Sequence, residues 1–300
     1  MTNNYELKLS SKTRFLNLFR RILKIRFLEE FFAGKTQNLT IESWWLRLMP
    51  PNYLYPANSR REVERKGIKY SLDISDYMEH GVYFGYSEAA QDELLRLGTG
   101  KNVIIDVGVN LGATLMNFAR CSPTGVIIGF EPDEKNFRKA ERNLDLNNFG
   151  NVELYRNGLG AETATVKLFK VNPANQGMNR IFDDRETSIE KDLAYEKIEI
   201  IRLDDFVNEH QVDRIDLIKI DVEGYEFKVL QGAEQSLLRY RPILFIELDD
   251  ENLKAQNDSA ELLISFLKKI GYTIYRADNK QEVKLNSEFG NCHFDIVCEC

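Results

Sequence analysis

The sequence predicts an α/β fold in which a mostly parallel sheet is covered by helices on both faces. Short segments rich in Val and Ile alternate with amphipathic segments whose apolar residues recur at helical spacing. The short segments are apolar throughout, which is typical of strands buried on both faces. Such strands form parallel sheets with right-handed crossovers. With 300 residues, 43% of them hydrophobic, the chain is long enough for one large domain and an extension.

We expect the extension to occupy residues 1–70 and the α/β domain residues 71–300. In residues 1–33, basic and apolar side chains interleave at helical spacing, which predicts a basic amphipathic helix. This helix is either a lid or dimer helix with solvated cations, or a peripheral membrane contact through residues 8–28. Residues 34–70 hold aromatics and prolines without a clear period, so we interpret them as a loop-rich connection.

The domain is expected to open with a hairpin or short strand and then to alternate strands and helices. Its predicted strands lie at 103–105, 126–130, 152–156, 163–171, 198–202, 215–220, 243–247, 272–275 and 293–298. Its predicted helices lie at 87–97, from 112, and at 133–147, 203–210, 226–240 and 259–270. The polar stretch 172–195 exceeds ordinary loop lengths and is interpreted as a substrate loop.

Four turns follow the predicted strands, at 106–112, 131–133, 157–160 and 221–226. Ligands of open α/β sheets bind beyond the carboxyl ends of the strands, at the point where strand order reverses. In the first turn, two glycines allow the backbone to approach a ligand closely, and the following helix points its free N–H groups at the same place. This turn is therefore interpreted as a nucleotide-type cofactor site.

The residues of the first turn discriminate between cofactors. Counting from Gly108, the second and third glycine positions of a dinucleotide G-x-G-x-x-G motif hold Asn110 and Ala113, which disfavours NAD. No GxxxxGK[ST] motif occurs, which excludes a phosphate-binding P-loop. Glu131 ends the next strand and is placed to accept hydrogen bonds from both ribose hydroxyls. Asp106 and the glycine turn suit a ligand with an ammonium or sulfonium group.

Three motifs, DVGVNLG, GFEPD and LIKIDVEGYEFKVLQGA followed by ILFIEL, resemble the FkbM family of S-adenosylmethionine-dependent methyltransferases. The resemblance extends from about Ser71 to the C-terminus. It implies a Rossmann-like class I methyltransferase sheet of seven strands, mostly parallel, whose last strand is antiparallel. It also implies O-methylation of a hydroxyl on a sugar, a glycan or a related natural product. Many relatives have DVGAN where this chain carries Val109.

The resemblance further implies a set of cofactor-binding residues. S-adenosyl-L-methionine would be bound at its methionine half by Asp106, Gly108, Asn110 and Gly112. Its ribose would be bound by Glu131, and its adenine would lie near Asn157 and Leu159. Asp221 would lie beside the methyl group that is transferred.

Methyl transfer to an alcohol requires that the hydroxyl lose its proton, and Asp221 or Glu223 is the predicted catalytic base. These residues and Glu226 crowd one turn, where mutual repulsion would raise one pKa. Glu223 is alternatively a salt-bridge partner or a helix-start acid. His80 is an alternative base, although a surface position is favoured for it, and His210 and His293 are expected to be structural.

We expect no metal. The alternative is a magnesium site. The spacing of Asp221, Asp249, Asp250 and Asn252 resembles that of the magnesium ligands in catechol-type methyltransferases. The four cysteines lack paired CxxC spacing, so structural zinc is not expected.

The charge and hydropathy of the chain limit the classes of substrate and the location that we expect. A net charge of −7 argues against nucleic acid as the substrate, and the absence of an [ND]PP[YF] motif argues against amino-methylation of DNA bases. With no signal peptide and no apolar run approaching the ~20 residues of a membrane span, we expect a cytoplasmic protein with reduced thiols. Two other functions stay open: a nucleotide-dependent Rossmann enzyme, and a cofactor-binding or scaffold protein of a glycan pathway without catalysis.

Overall fold

The computed structural model describes residues 10–37, 39–40, 43–87, 89–171, 179–181, 193–285, 287–290 and 292–300. The chain forms two compact units. One comprises Met1–Arg65 and Ser71–Glu88, and the other comprises Lys66–Tyr70 and Ala89–Cys300. The division at residue 70 that the sequence suggests stays a prediction. Among the described residues, no helix has the length and apolar composition needed to cross a membrane.

The first unit is built mainly of short helices. They are α1 (Ser11–Arg20), α2 (Arg26–Lys35), α3 (Trp44–Leu48) and α4 (Tyr77–Phe84), and a 3-10 turn separates α1 from α2. The strands β1 (Leu39–Thr40), β2 (Arg60–Arg65), β3 (Ile68–Asp73) and β4 (Tyr86–Ser87) form two small sheets, and the first half of β3 is assigned to the second unit. The stretch interpreted as loop-rich, 34–70, therefore contains α3, β2 and the start of β3. The β2–β3 hairpin is hard to see in the sequence because β2, RREVER, carries almost no apolar side chains.

His80 lies inside the first unit, so the expectation that it lies at the surface is wrong. Its side chain is on α4, and the residue is only 4% exposed. Its Nε2 donates to the Pro50 carbonyl oxygen (2.8 Å), and its Nδ1 accepts from the Tyr86 hydroxyl (3.1 Å). Burial lowers the pKa of His80 to about 4, so the ring is neutral at neutral pH. Both ring nitrogens are engaged within this unit, which favours a structural role.

The second unit alternates strands and helices as the sequence predicts. Its helices are α5 (Ala89–Gly98), α6 (Ala113–Cys121), α7 (Glu134–Asp145), α8 (Leu203–Glu209), α9 (Glu226–Gly232), α10 (Glu234–Tyr240), α11 (Asp250–Ala255) and α12 (Ala260–Lys269). Its strands are β5 (Val103–Val107), β6 (Val126–Phe130), β7 (Val152–Tyr155), β8 (Gly158–Leu159), β9 (Ala164–Phe169), β10 (Arg180–Ile181), β11 (Tyr195–Ile201), β12 (Leu217–Ile220), β13 (Ile243–Asp249), β14 (Thr273–Arg276) and β15 (His293–Glu299).

Seven of these strands form the main sheet in the order β14-β15-β13-β12-β5-β6-β7. All neighbouring pairs are parallel except those of β15, which runs antiparallel to β13 and β14. The predicted class I methyltransferase sheet is therefore confirmed, with its last strand antiparallel. Strand order reverses between β5 and β12, so the carboxyl ends of these two strands border the crevice where such sheets bind ligands.

The apolar strands are buried on both faces, as their composition predicts. In β5, Ile104 packs in one hydrophobic cluster, whereas Ile105 and Val107 pack in the cluster on the opposite face. All four residues of β12 are buried, including one lysine. A charged side chain in such a strand is costly unless it is paired.

A second sheet, in the order β10-β9-β11-β8, is inserted between β7 and α8. Strand β9 is antiparallel to β11, in agreement with the alternating pattern of residues 163–171. Strand β8 pairs parallel with β11 and joins this sheet to the end of β7. Most of the predicted substrate loop at 172–195 lies outside the described residues, so that interpretation stays a prediction.

Candidate cofactor and active site

The turn after β5 packs directly against the turn after β12. Gly108 has a φ of +83°, and a Cβ built there would lie 1.9 Å from the Asp221 carbonyl oxygen. Only glycine fits at this position, because a side chain would both clash and strain the backbone. The Gly108 and Val109 N–H groups donate to the Phe130 carbonyl oxygen at 3.0 and 3.2 Å, which ties the turn to the end of β6. Three of the four predicted ligand turns therefore meet here.

Asp106 is fully buried and stands in register with Lys219 on the neighbouring strand β12. The Lys219 Nζ lies 3.3 Å from Asp106 Oδ1. Burial raises the pKa of Asp106, and the positive charge of Lys219 opposes the increase. Apart from this ion pair, neither Asp106 oxygen accepts a hydrogen bond from the described part of the chain. A buried carboxylate with unused acceptors at a ligand crevice suits a cationic group.

Lys219 also reaches Asp221 and the glycine turn, and the sequence motifs gave it no role. Its Nζ lies 3.3 Å from Asp221 Oδ2 and donates to the Gly108 carbonyl oxygen at 2.8 Å. Burial alone lowers the pKa of Lys219, but the charges of Asp221 and Asp106 outweigh this effect and raise it. The lysine is therefore charged, and it joins Asp106, predicted at the methionine half of the cofactor, to Asp221, predicted beside the transferring methyl. The signal that points to it is one lysine inside the apolar strand LIKI.

Glu131 follows β6 and is almost completely buried. Its Oε2 accepts from the Asn110 N–H at 2.6 Å, and its Oε1 accepts from the Asp133 N–H at 3.0 Å. Asn110 has a φ of +54°, which turns its N–H toward the carboxylate. Burial raises the pKa of Glu131 to about 7, against the opposing effect of these hydrogen bonds. Each oxygen uses one lone pair and keeps a second for a ligand hydroxyl.

The two residues predicted near the adenine differ in their surroundings. Asn157 follows β7 and is half-buried. Leu159 lies in β8, and its side chain belongs to the hydrophobic cluster that also contains Phe130 and Ile220. The Leu159 side chain thus contributes to the core, and contact of either residue with an adenine stays a prediction.

The acidic turn after β12 has an unusual backbone. Glu223 and Gly224 have φ values of +54° and +101°. A positive φ is uncommon for a residue with a side chain, and such strained positions cluster at functional sites. Glu223 Oε2 accepts from Asn252 Nδ2 at 3.0 Å, and Arg180 Nη2 lies 3.5 Å away. The alternative that Glu223 is a salt-bridge partner is therefore also consistent with its contacts.

Burial, followed by the charge of Asp221, raises the pKa of Glu223 to about 7. The sequence pointed to repulsion as the cause, whereas loss of hydration is the larger contribution. The side chain of Asp221 is 47% exposed and lies at the mouth of the turn. A half-ionised carboxylate beside an accessible one is a suitable acid–base arrangement at neutral pH.

Glu226 has a structural role in this turn. Its Oε1 accepts from the Gly224 N–H at 2.9 Å and from the Val222 N–H at 3.2 Å, so it closes the turn before α9. Burial raises the pKa of Glu226 to about 7 as well. Because its side chain is buried and engaged with the backbone, it is not a candidate base.

Glu247, on β13, is a further acid that the sequence analysis did not single out. Burial, followed by the charges of Asp221 and Glu223, raises its pKa strongly. The carboxyl group is therefore protonated at neutral pH and able to donate a hydrogen bond. Its sequence signal is an acid within the otherwise apolar strand ILFIEL.

The residues of the alternative metal site have other partners. Asp249 Oδ1 accepts from the Asn252 N–H at 3.0 Å and caps α11. Asp250 Oδ2 pairs with Lys254 at 2.5 Å, and its Oδ1 accepts from the Ala260 N–H at 3.0 Å. Within the described ranges, no group of three or more His, Cys, Asp or Glu side chains has the geometry of a metal site.

Comparison with known proteins decides the family. The model of the FkbM methyltransferase domain matches residues 106–274, which include the first turn, Glu131 and the acidic turn. The chain belongs to the FkbM methyltransferase family. FkbM methyltransferases use S-adenosylmethionine, so the predicted cofactor is confirmed at the level of the family.

Three curated proteins are similar to parts of this chain. A protein named Methyltransferase 1 from Beauveria bassiana is 30% identical over 44% of this chain and 58% of its own length. The 2-O-methyltransferase NoeI from Sinorhizobium fredii is 23% identical over 50% of this chain and 65% of its own length. The hexuronic acid methyltransferase AglP from Haloferax volcanii is 28% identical over 48% of this chain and 55% of its own length. The chain thus spans between about half and two thirds of each of these relatives.

Proposed function

We propose that this FkbM protein is an S-adenosylmethionine-dependent O-methyltransferase that methylates a hydroxyl of a sugar, a glycan or a related natural product. The observation that carries the proposal is Glu223, a largely buried carboxylate with a pKa of about 7, beside the half-exposed Asp221 at the switch point of the sheet. Two relatives support the substrate class by name, one as a 2-O-methyltransferase and one as a hexuronic acid methyltransferase.

The residues at the crevice fit this cofactor. Asp106 offers unused carboxylate acceptors to an amino group, and the glycine turn follows it directly in the chain. Glu131 keeps one lone pair on each oxygen for the two ribose hydroxyls. A 2′-phosphate would face the same carboxylate with a like charge, which favours an unmodified ribose. When bound, the cofactor supplies a methyl group activated by a positively charged sulfur.

The chain's own contribution to chemistry is to position the acceptor and to remove its proton. Glu223 accepts the proton of the acceptor hydroxyl while the oxygen attacks, because its pKa matches the working pH. Asn252 and Arg180 hold the Glu223 carboxylate in place. Asp221 is anchored by Lys219 and lies beside the reacting groups.

The test is a methyl-transfer assay with S-adenosylmethionine carrying a ¹³C-labelled methyl group and a panel of hexose and hexuronic acid oligosaccharides. We expect new O-methyl signals by NMR, and a rate that rises with pH and levels off above about 7, since Glu223 must be ionised. Glu223→Gln should lower kcat by about 100-fold, since general-base catalysis contributes about 10²–10⁴. It should also abolish the pH dependence.

The matched control is Glu234→Gln, an exposed glutamate at the start of α10, which should leave the rate unchanged. Methylation of nitrogen or carbon acceptors instead of hydroxyls would contradict the proposal. Cofactor binding without transfer to any acceptor in the panel would favour the scaffold alternative.

A further inference from the structure

Helix α1 turns its polar face toward the protein. Asn17 Nδ2 donates to the Tyr53 hydroxyl at 3.3 Å, and just beyond the helix Lys24 Nζ donates to the Leu54 carbonyl oxygen at 2.5 Å. Arg20 lies on the same side and donates to the Arg47 carbonyl oxygen. This orientation is the reverse of that expected for a helix on the surface of a globular protein, which buries its apolar stripe.

The apolar face of this segment is consequently left open. Phe15, Leu18, Phe19 and Ile22 follow i, i+3, i+4 and i+7 spacing on the side opposite Asn17, and each is more than half exposed. The Phe15 and Phe19 rings contact each other edge to face, with centroids 5.2 Å apart. Single exposed apolar residues are normal on a protein surface, whereas four large apolar side chains on one helical face form a contiguous patch that needs an explanation.

Helices α2 and α3 add further exposed aromatic residues. On α2, Glu29 and Ala33 are buried, whereas Phe27 and Phe31 lie on the opposite side and are 76% and 52% exposed. Trp44 on α3 is also exposed and stacks on Trp45 at 4.0 Å. We refer to Phe15, Phe19, Ile22, Phe27, Phe31 and Trp44 as the aromatic surface.

The charge around the aromatic surface is opposite in sign to that of the whole chain. Residues 10–48 contain eight Lys and Arg but three Glu, in a chain whose net charge is −7. One of these acids, Glu29, is buried and pairs with Arg61 at 2.5 Å, so it does not offset the exposed cations. Lys12, Arg14 and Arg21 are exposed on or next to α1. Glu30 pairs with Arg26 at 2.6 Å, whereas Lys12, Arg14 and Arg21 form no ion pair within the described residues. The surface therefore combines apolar rings with an excess of positive charge.

We propose that the aromatic surface binds the interface of an anionic phospholipid bilayer. The rings enter the boundary between headgroups and acyl chains, and the surrounding Lys and Arg side chains contact lipid phosphates, as in amphipathic interfacial helices. Trp44 has the amphipathic ring that is enriched at this depth. A second copy of the chain fits less well, because it would bring two surfaces of like charge together. This inference is independent of the acceptor of methyl transfer.

The test is flotation of the full chain with vesicles of phosphatidylcholine alone or with about 30% phosphatidylglycerol. We expect the protein to float with the anionic vesicles, to stay at the bottom with the neutral ones, and to detach at high salt because screening weakens the headgroup contacts. Phe27→Ser combined with Phe31→Ser should reduce the bound fraction at least fivefold. Arg14→Glu combined with Arg21→Glu should reduce it by a similar factor.

The matched control is Leu238→Ser combined with Leu262→Ser, which removes two half-exposed apolar side chains from the second unit. This control should float as the unchanged protein does. Absence of flotation with anionic vesicles, or equal flotation of the Phe27 and Phe31 variant, would overturn the proposal. A dimer in light scattering that the same variant dissociates without lipid would assign the surface to a second copy and overturn it as well. Circular dichroism of each variant establishes that it is folded.

Discussion

At the scale of single residues, the site rests on one buried lysine between two acids. Lys219 lies 3.3 Å from both Asp106 and Asp221, and it also holds the Gly108 carbonyl oxygen. A buried ion pair stabilises little relative to apolar residues, but the loss of one partner leaves an uncompensated charge. Burial raises the pKa of Asp106, and Lys219 opposes this effect and so favours the ionised form that a cationic ligand would meet.

Replacement of this lysine should destabilise the fold. Lys219→Met leaves the buried Asp106 without its counter-charge, which we expect to lower the free energy of unfolding by about 3–5 kcal/mol in urea titrations. Adding Asp106→Asn should restore part of the loss, because the unpaired charge is then gone. Arg138→Met, which breaks the exposed pair with Glu141, is the control and should have little effect. Equal effects of the two single variants would contradict the account.

Glu226 should make the stability depend on pH. Its pKa rises from 4.5 in the unfolded chain to about 7 in the fold. The folded state therefore binds the proton more tightly, and this contribution to stability is present below pH 4.5 and lost as the pH rises through 7. Glu226→Gln cannot ionise. Its free energy of unfolding relative to that of the wild type should therefore increase by up to about 3 kcal/mol between pH 4.5 and pH 8.5.

Urea titrations at the two pH values measure this difference. Glu234→Gln, at an exposed position on α10, is the control and should follow the wild type at both pH values. A stability difference between Glu226→Gln and the wild type that does not change with pH would show that the carboxyl group is not held in its protonated form by burial.

At the scale of elements, the parallel pairing of β5 with β12 brings the first and fourth ligand turns together. Asp106 faces Lys219 in register, and the residues after each strand meet at Gly108 and Asp221. Strand β6, in register on the other side of β5, brings Glu131 to the same edge. The site is thus a product of strand order.

The close approach of these turns can be tested at one glycine. Gly108→Ala places a Cβ 1.9 Å from the Asp221 carbonyl oxygen and strains a backbone with a φ of +83°. Gly100→Ala is the matched control, because its φ is +71° and nothing lies within 4 Å of the added Cβ. We expect Gly100→Ala to lower the free energy of unfolding by about 1–2 kcal/mol through backbone strain alone.

Gly108→Ala should lower the free energy of unfolding by clearly more than Gly100→Ala does. It should also weaken cofactor binding, since the turn must move. Thermal unfolding and cofactor titration of both variants measure the two effects. Equal destabilisation of the two variants, with unchanged binding, would show that the turns do not pack as described.

At the scale of the whole molecule, the parts that sequence predicts best are those with a single strong physical cause. Strands such as β5, β6 and β12 are buried on both faces, so their apolar runs are unmistakable. The motifs at their carboxyl ends located Asp106, Glu131 and the acidic turn. The features that the sequence does not predict are residue roles that depend on which side chains the fold brings into contact.

Lys219 and Glu247 illustrate this limit. Each is an ionisable residue within an apolar run, LIKI or ILFIEL, and its significance appears only when the adjacent strand is known. His80 is a similar case, since its burial depends on the Pro50 and Tyr86 partners that the fold brings to it. The polar face of α1 likewise looks solvent-exposed in the sequence, whereas it contacts the Tyr53 hydroxyl and the Arg47 carbonyl oxygen.

The most direct test of the central claim is calorimetric titration of the full chain with S-adenosylhomocysteine. The account predicts saturable binding to one site per chain, at least about tenfold weaker binding to Glu131→Gln, and unchanged binding to the exposed control Glu162→Gln. NAD should give no binding. Absence of binding to the wild type, or equal affinity for Glu131→Gln, would contradict the assignment of this crevice as the cofactor site.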